Sequence, residues 1–147
     1  MTAKQRNWAI GLCCAGMILT VLCAAVHFVG LNGRTYVLNL PEPAGLSGAT
    51  LSTRGGDTVE LDGKGAEEVV LALGDGRTTQ EEIIQDAPVN VEDYIQVDFH
   101  FAGGGTITLF VYQRKSEWVI EQPYNGIYVL SDAEAQALEQ CVGGQLI

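Results

Sequence analysis

Few residues in this chain could do chemistry, and they do not assemble into a familiar catalytic set. His27, Cys13, Cys14 and Cys23 fall inside an apolar run, which leaves His100 as the imidazole and Cys141 as the thiol beyond it. A serine-type site would have to pair His100 with Ser47, Ser52, Ser116 or Ser131, and none of these stands in a nucleophile elbow. Asp98 and His100 are two apart, so on a strand both project from one face. Two donors at that spacing, without a partner motif, read as a solvated polar face and not as a metal site. Asp86, Asn90, Glu92 and Asp93 offer hard oxygens for Ca²⁺, but not at EF-hand spacing, so an acidic loop in water is the simpler reading. Asp86 is also placed to cap the turn at Pro88. Gly103-Gly104-Gly105 lies between two strands, with no helix N-terminus to cradle a phosphate. The expectation is a protein with no catalytic residue, metal ligand or cofactor. The alternative is a small cell-envelope hydrolase that uses His100 and nearby acids.

Recognition chemistry is better represented. Glu121, Gln122 and Tyr124 place a carboxylate, an amide and a phenol in one short turn segment, more than a turn requires. Pro123 and the Asn125-Gly126 pair set its backbone, and that pair is able to take positive φ. Phe110 and Tyr112 alternate with Ile107, Leu109 and Val111. If the latter set faces the core, Phe110 and Tyr112 face away, covered either by a helix or the early strands, or left as an exposed aromatic surface for a partner. Glu121, Gln122, Tyr124, Phe110 and Tyr112 are therefore the candidate interaction surface.

The elements that position these residues belong to one domain preceded by a membrane segment. Trp8 to Leu31 is a run of 24 residues without Asp, Glu, Lys or Arg. At about 1.5 Å per residue it covers roughly 36 Å, enough for a hydrocarbon core of about 30 Å. Lys4 and Arg6 precede it, which places residues 1–7 in the cytoplasm and residues 32–147 outside. A cleavable signal peptide ending near Cys23-Ala24-Ala25 is the rival reading. Gly11 and Ala15 form a small-xxx-small pair, which also admits an accessory subunit whose helix pairs with another membrane protein. Of 147 residues, 8 are Lys or Arg and 18 are Asp or Glu. Beyond residue 31 six basic residues face all 18 acids, a balance of −12, and such a surface repels phosphate backbones, so nucleic acid is excluded as a partner. The partners expected are the lipid bilayer and a protein of the envelope or membrane.

The periodicity then reads as α+β. Residues 32–40 run as a linker into a first strand that closes at Pro41. Ala49–Thr53 and Thr58–Leu61 make a hairpin around Arg54-Gly55-Gly56-Asp57. Ala66, Val69, Val70 and Leu73 recur at helical spacing, and Gly74 and Gly76 stop that helix. Arg77–Asp93 reads as loop, with a short helical turn opened by Thr78–Glu82. Tyr94–Ala102, Thr106–Gln113, Glu117–Gln122 and Ile127–Leu130 form an antiparallel four-strand meander. Ser131 and Glu134 spell a capping box for a closing helix with Ala135, Leu138 and Cys141 on its apolar side. The fold expected is an antiparallel sheet, the C-terminal meander plus short N-terminal strands, packed with two helices on one face.

Asp86-Ala87-Pro88, Tyr94-Ile95-Gln96-Val97-Asp98-Phe99 and Ile120-Glu121-Gln122-Pro123-Tyr124-Asn125-Gly126-Ile127-Tyr128 resemble a family of small exported, membrane-attached proteins of Clostridia and related Gram-positive bacteria. The similarity is best over roughly residues 58–140, and the domain they share has no assigned function. The resemblance implies export and surface attachment and supplies no catalytic residue. It departs at Ile83-Ile84, where the family pattern places a Ser shortly before the Asp-x-Pro segment. Together these features lead us to expect a single-pass, membrane-anchored extracytoplasmic binding domain that is non-catalytic.

Overall fold

The computed structural model describes residues 17–25, 33–74 and 76–141. The chain divides into two compact units, Met1–Arg34 and Thr35–Ile147. In the first, residues 17–25 are helical, and Met17, Ile18, Leu19, Val21 and Leu22 are exposed. The rest of the expected span, residues 8–16 and 26–31, lies outside the described residues, as does the Cys141 side chain. Among the described residues no helix is long and apolar enough to cross a membrane.

The second unit is α+β. Its strands are β1 (Tyr36–Val37), β2 (Leu46–Thr53), β3 (Thr58–Asp62), β4 (Thr78–Thr79), β5 (Ile95–Phe101), β6 (Thr106–Arg114), β7 (Glu117–Glu121) and β8 (Ile127–Leu130). Six of them form one antiparallel sheet in the order β3-β2-β5-β6-β7-β8, and β1 pairs with β4 in a separate two-stranded ladder. The meander β5 to β8 and the β2–β3 hairpin thus form where period-2 alternation places them. Lys115 and Ser116 close the β6–β7 hairpin with φ of 50° and 70°, the two left-handed residues of a type I′ turn, whose twist suits antiparallel strands.

Two helices cover one face of this sheet. Helix α1 (Gly63–Leu73) starts where the Asp62 side chain accepts from the Gly65 N–H at 2.9 Å, and it buries Ala66, Val69, Val70 and Leu73. Helix α2 (Asp132–Cys141) opens with the expected capping box. The Ser131 N–H donates to Glu134 at 2.8 Å and the Glu134 N–H returns to Ser131 Oγ at 3.3 Å. These bonds, with Arg77 beside them, hold the Glu134 carboxyl below the usual carboxylate range. Arg77 joins the elements: Nε donates to the Leu73 carbonyl at 3.0 Å, Nη1 to the Val129 carbonyl at 2.6 Å, and Nη2 to Glu134. Beneath the helices, Leu51, Val97 and Leu109 stand in direct cross-strand register. With Phe99, Ile120, Tyr128 and Leu138 they form the main core.

Two expectations are corrected. The stretch 32–40 contributes a strand only at Tyr36–Val37, and Thr78–Thr79 is its partner strand instead of the start of a helical turn. The cause is non-local: the chain after α1 passes alongside β1, and Tyr36 opposite Thr79 satisfies backbone groups that a lone turn would have closed upon itself. The helices lie on one face as expected, but the apolar part of the other face is covered by irregular chain in place of a helix or the early strands.

Phe99 has no exposed surface. Replacing it with Ala should cost about 3–5 kcal/mol through lost burial and the cavity left behind. His100 lies on the opposite face, and His100→Ala should cost under half as much. Equal losses in denaturant titration would reverse the assigned phase of β5.

Candidate functional site

The second face of the sheet has two halves of different chemistry. Over β3, β2 and β5 it is polar. Thr50 donates to Glu60 at 2.9 Å, His100 Nε2 lies 2.7 Å from Thr50 Oγ1, and Nδ1 lies 3.3 Å from Thr106 Oγ1. Asp98 accepts from Gln96 and Thr108. Both His100 ring nitrogens face threonines. Ser47 reaches only the His100 carbonyl, at 3.1 Å. Among the described residues no group of three or more His, Cys, Asp or Glu is placed to hold a metal ion.

Over β6, β7 and β8 the same face turns apolar. Phe110, Tyr112, Val119 and Ile127 form a second core, and Ile83, Val91 and Tyr94 pack onto it. Tyr94 meets Phe110 edge to face, with centroids 5.2 Å apart. The cover over Phe110 and Tyr112 is therefore neither a helix nor an early strand but the segment 80–94, whose polar composition reads as loop. These two candidates are not an exposed aromatic surface: they are 3% and 4% exposed.

The turn segment explains how that cover stays in place. The Gln122 side chain accepts from the Asn39 N–H and donates to the Asn39 carbonyl, both at 3.0 Å, and is buried. Asn125 Nδ2 donates to the Val37 carbonyl at 2.8 Å. The Ile83 N–H reaches the Asn125 carbonyl, and the Ile127 N–H reaches the Glu81 carbonyl. Arg114 grips Glu81 with two bonds, at 2.6 and 2.9 Å, which lowers the Glu81 pKa. Arg54 donates to the Val91 carbonyl. Asp86 accepts from the Tyr124 hydroxyl instead of capping the turn at Pro88, and that bond raises the Tyr124 pKa. Tyr124, not Asn125 or Gly126, takes the positive φ, at 56°. Gly126 is required for a different reason. A Cβ there would stand 2.5 Å from Thr79 Cγ2 and 2.8 Å from the Glu81 carbonyl oxygen.

Of the five candidates, then, Tyr124 alone is open to solvent. Glu121 is 3% exposed and accepts from Tyr112 Oη at 2.6 Å. Burial and that bond together push the Tyr112 phenol up, so it stays a donor. Glu121 and Tyr112 lie on the wall of an open cavity of about 900 Å³ between the segment 83–94 and the sheet. Val89, Tyr94, Lys115 and Trp118 also line it; alternation through Tyr94–Ala102 sets Tyr94 on this face, whereas Val89 and Lys115 lie outside the strands, where alternation gives no signal. What the lining brings together is apolar side chains, the Tyr94 and Tyr112 rings and the charged residues Glu92, Asp93, Arg114, Lys115 and Glu121, a mix that suits binding.

A family model, DUF5301, described as "Domain of unknown function (DUF5300)", matches residues 39–129. The three motif segments at 86–88, 94–99 and 120–128 all lie within that match. The NMR structure of the protein from Ruminococcus gnavus is similar to this chain, with a TM-score of 0.53 and 24% identity. The likeness covers 64% of this chain and 91% of that one, and at this identity it concerns the fold alone. No curated protein matches the chain.

Gly126→Ala should destabilise by about 1–3 kcal/mol through overpacking against Thr79 and Glu81. Gln122→Ala should cost a similar amount, about 1–3 kcal/mol, by stripping two partners from Asn39. Tyr124→Phe should leave the melting temperature nearly unchanged. A thermal melt of the three variants checks this order, and a neutral Gly126→Ala would show that the segment 78–82 does not pack there.

Proposed function

The chain belongs to the DUF5301 family, and we propose that it is a non-catalytic binding domain held at the outer surface of the membrane by residues 8–31. The observation that carries the binding function is the cavity. It is walled by a pinned irregular segment on one side and the sheet on the other, and Ile84, Val89 and Tyr124 are exposed on that segment and the adjoining turn. The charge-free run Trp8–Leu31 behind Lys4 and Arg6 supports attachment and the outward orientation. The motif resemblance to exported proteins points the same way. The partner is an envelope or membrane protein, or a ligand presented there.

A second reading, a small envelope hydrolase, has the Glu60–Thr50–His100 chain in its favour. Against it stands the placement of that chain on an open sheet face, away from the cavity, with Thr50 already donating to Glu60 rather than to an imidazole.

The test uses the full chain in intact cells. Gly103 is exposed with open space around it, so Gly103→Cys should be labelled by a membrane-impermeant thiol reagent, above the background of the unsubstituted chain. A photo-crosslinking residue at Val89 should trap a discrete partner, and one at Thr58 should not. Labelling only after lysis would reverse the orientation. Equal crosslinking from both positions would remove the cavity as the recognition site.

A further inference from the structure

The chemistry of the cavity wall allows the ligand class to be narrowed, an inference that rests on the binding reading above. We propose that the cavity is a site for an organic cation, an ammonium or guanidinium group on an apolar chain, with the Glu121 carboxylate as its counter-charge.

Glu121 sits on β7 directly opposite Phe110 on one side and Ile127 on the other. An acid in that apolar setting is costly unless it is paired or fully hydrogen-bonded. Among the described residues its carboxylate accepts one hydrogen bond, from Tyr112 Oη, through Oε2. Glu121 is 3% exposed and lines the cavity, and among the described residues no hydrogen bond is seen to Oε1. The position is a buried acceptor with one oxygen bonded and the other without a hydrogen bond among the described residues.

The nearby cations do not fill this role. Nη1 and Nη2 of Arg114 each donate to Glu81, in the ion pair that holds it. Lys115 lines the same cavity, and among the described residues no ion pair joins it to Glu121. Arg114 thus serves the pin that holds the segment 80–94, and among the described residues no ion pair reaches Glu121. The rest of the lining agrees with this ligand. Val89, Val91 and Ile127 suit an alkyl stem, Tyr94 and Tyr112 bring aromatic rings to the wall, and Glu92 and Asp93 add negative charge. The acidic balance of the domain would raise the local concentration of cations further.

The same chemistry reaches the site from two sources, a free amine or a lysine or arginine side chain of a protein. The full chain in detergent micelles would be titrated with n-butylamine, 1-butanol, N-acetyl-lysine-N-methylamide and its norleucine counterpart, following the Tyr112 and Glu121 amide signals by NMR. The charged probe of each pair should bind about tenfold or more tightly than its neutral isostere, and Glu121→Gln should abolish that preference. Tyr112→Phe keeps the carboxylate and should keep the preference, which separates loss of charge from loss of fold. Tighter binding of butylamine points to a free amine as the source, and tighter binding of the lysine derivative points to a protein side chain. Equal binding of charged and neutral probes would overturn the cation assignment and leave the binding cavity standing. No binding by any probe would overturn this site, whereas the surface-exposure test above stands apart from it. If Lys115→Ala binds butylamine where the parent does not, the chain's own lysine fills the site and the proposal fails.

Discussion

A six-stranded sheet that is apolar on one whole face and on half of the other has to be covered twice, and among the described residues two α-helices pack with it. Both are spent on the face formed by Leu51, Val97, Phe99, Leu109 and Ile120. The remaining apolar patch, Phe110, Tyr112, Val119 and Ile127, must be kept from water by chain that has no regular structure of its own. Irregular chain can do this only if its backbone groups find partners, since each buried orphan costs about 1–3 kcal/mol. That requirement accounts for the density of side chain-to-backbone bonds around residues 78–94.

The Glu121–Tyr128 segment is the junction where these demands meet. Gln122 and Asn125 hold the chain around β1, Gly126 lets residues 79–82 lie against the turn, and Arg114 grips Glu81. The cavity forms along this cover. A segment that lies over a sheet on a few pins leaves space wherever its side chains do not reach the strands. Binding sites on rigid scaffolds with loop-built walls follow the same physics. The polar half of that face needs no cover, because Thr50, Asp98, His100 and Thr108 satisfy one another in contact with water.

The mixed chemistry of Glu121, Gln122 and Tyr124 marks the segment as unusual, but the division of labour within it is not visible in the residue types. An amide that bonds backbone and an amide that awaits a ligand are the same residue. Burial decides between them, and here the amide's partner, Asn39, lies 83 residues upstream. Phe110 and Tyr112 show the same limit from the apolar side. Alternation correctly sets them on the face away from the main core, and their cover is a segment whose own composition, rich in Asp, Glu, Gln and Asn, carries no sign that Ile83, Val91 and Tyr94 pack inward.

What the sequence by itself determined is everything carried by short-range periodicity and local capping. That includes the phase of β5 and β6, the meander with its short turns, the buried stripe of α1, the capping box of α2, and the absence of any conventional catalytic spacing. These depend on residues within a few positions of one another, where backbone geometry leaves little choice. Tertiary structure alone decided the pairing of Tyr36–Val37 with Thr78–Thr79, the cover over Phe110 and Tyr112, the reason for Gly126, and the burial of Glu121 beside Tyr112 on a cavity wall. Each of these is a contact between segments far apart in the chain. Its energy comes from desolvation and from paired backbone groups, which no local pattern of residue types encodes.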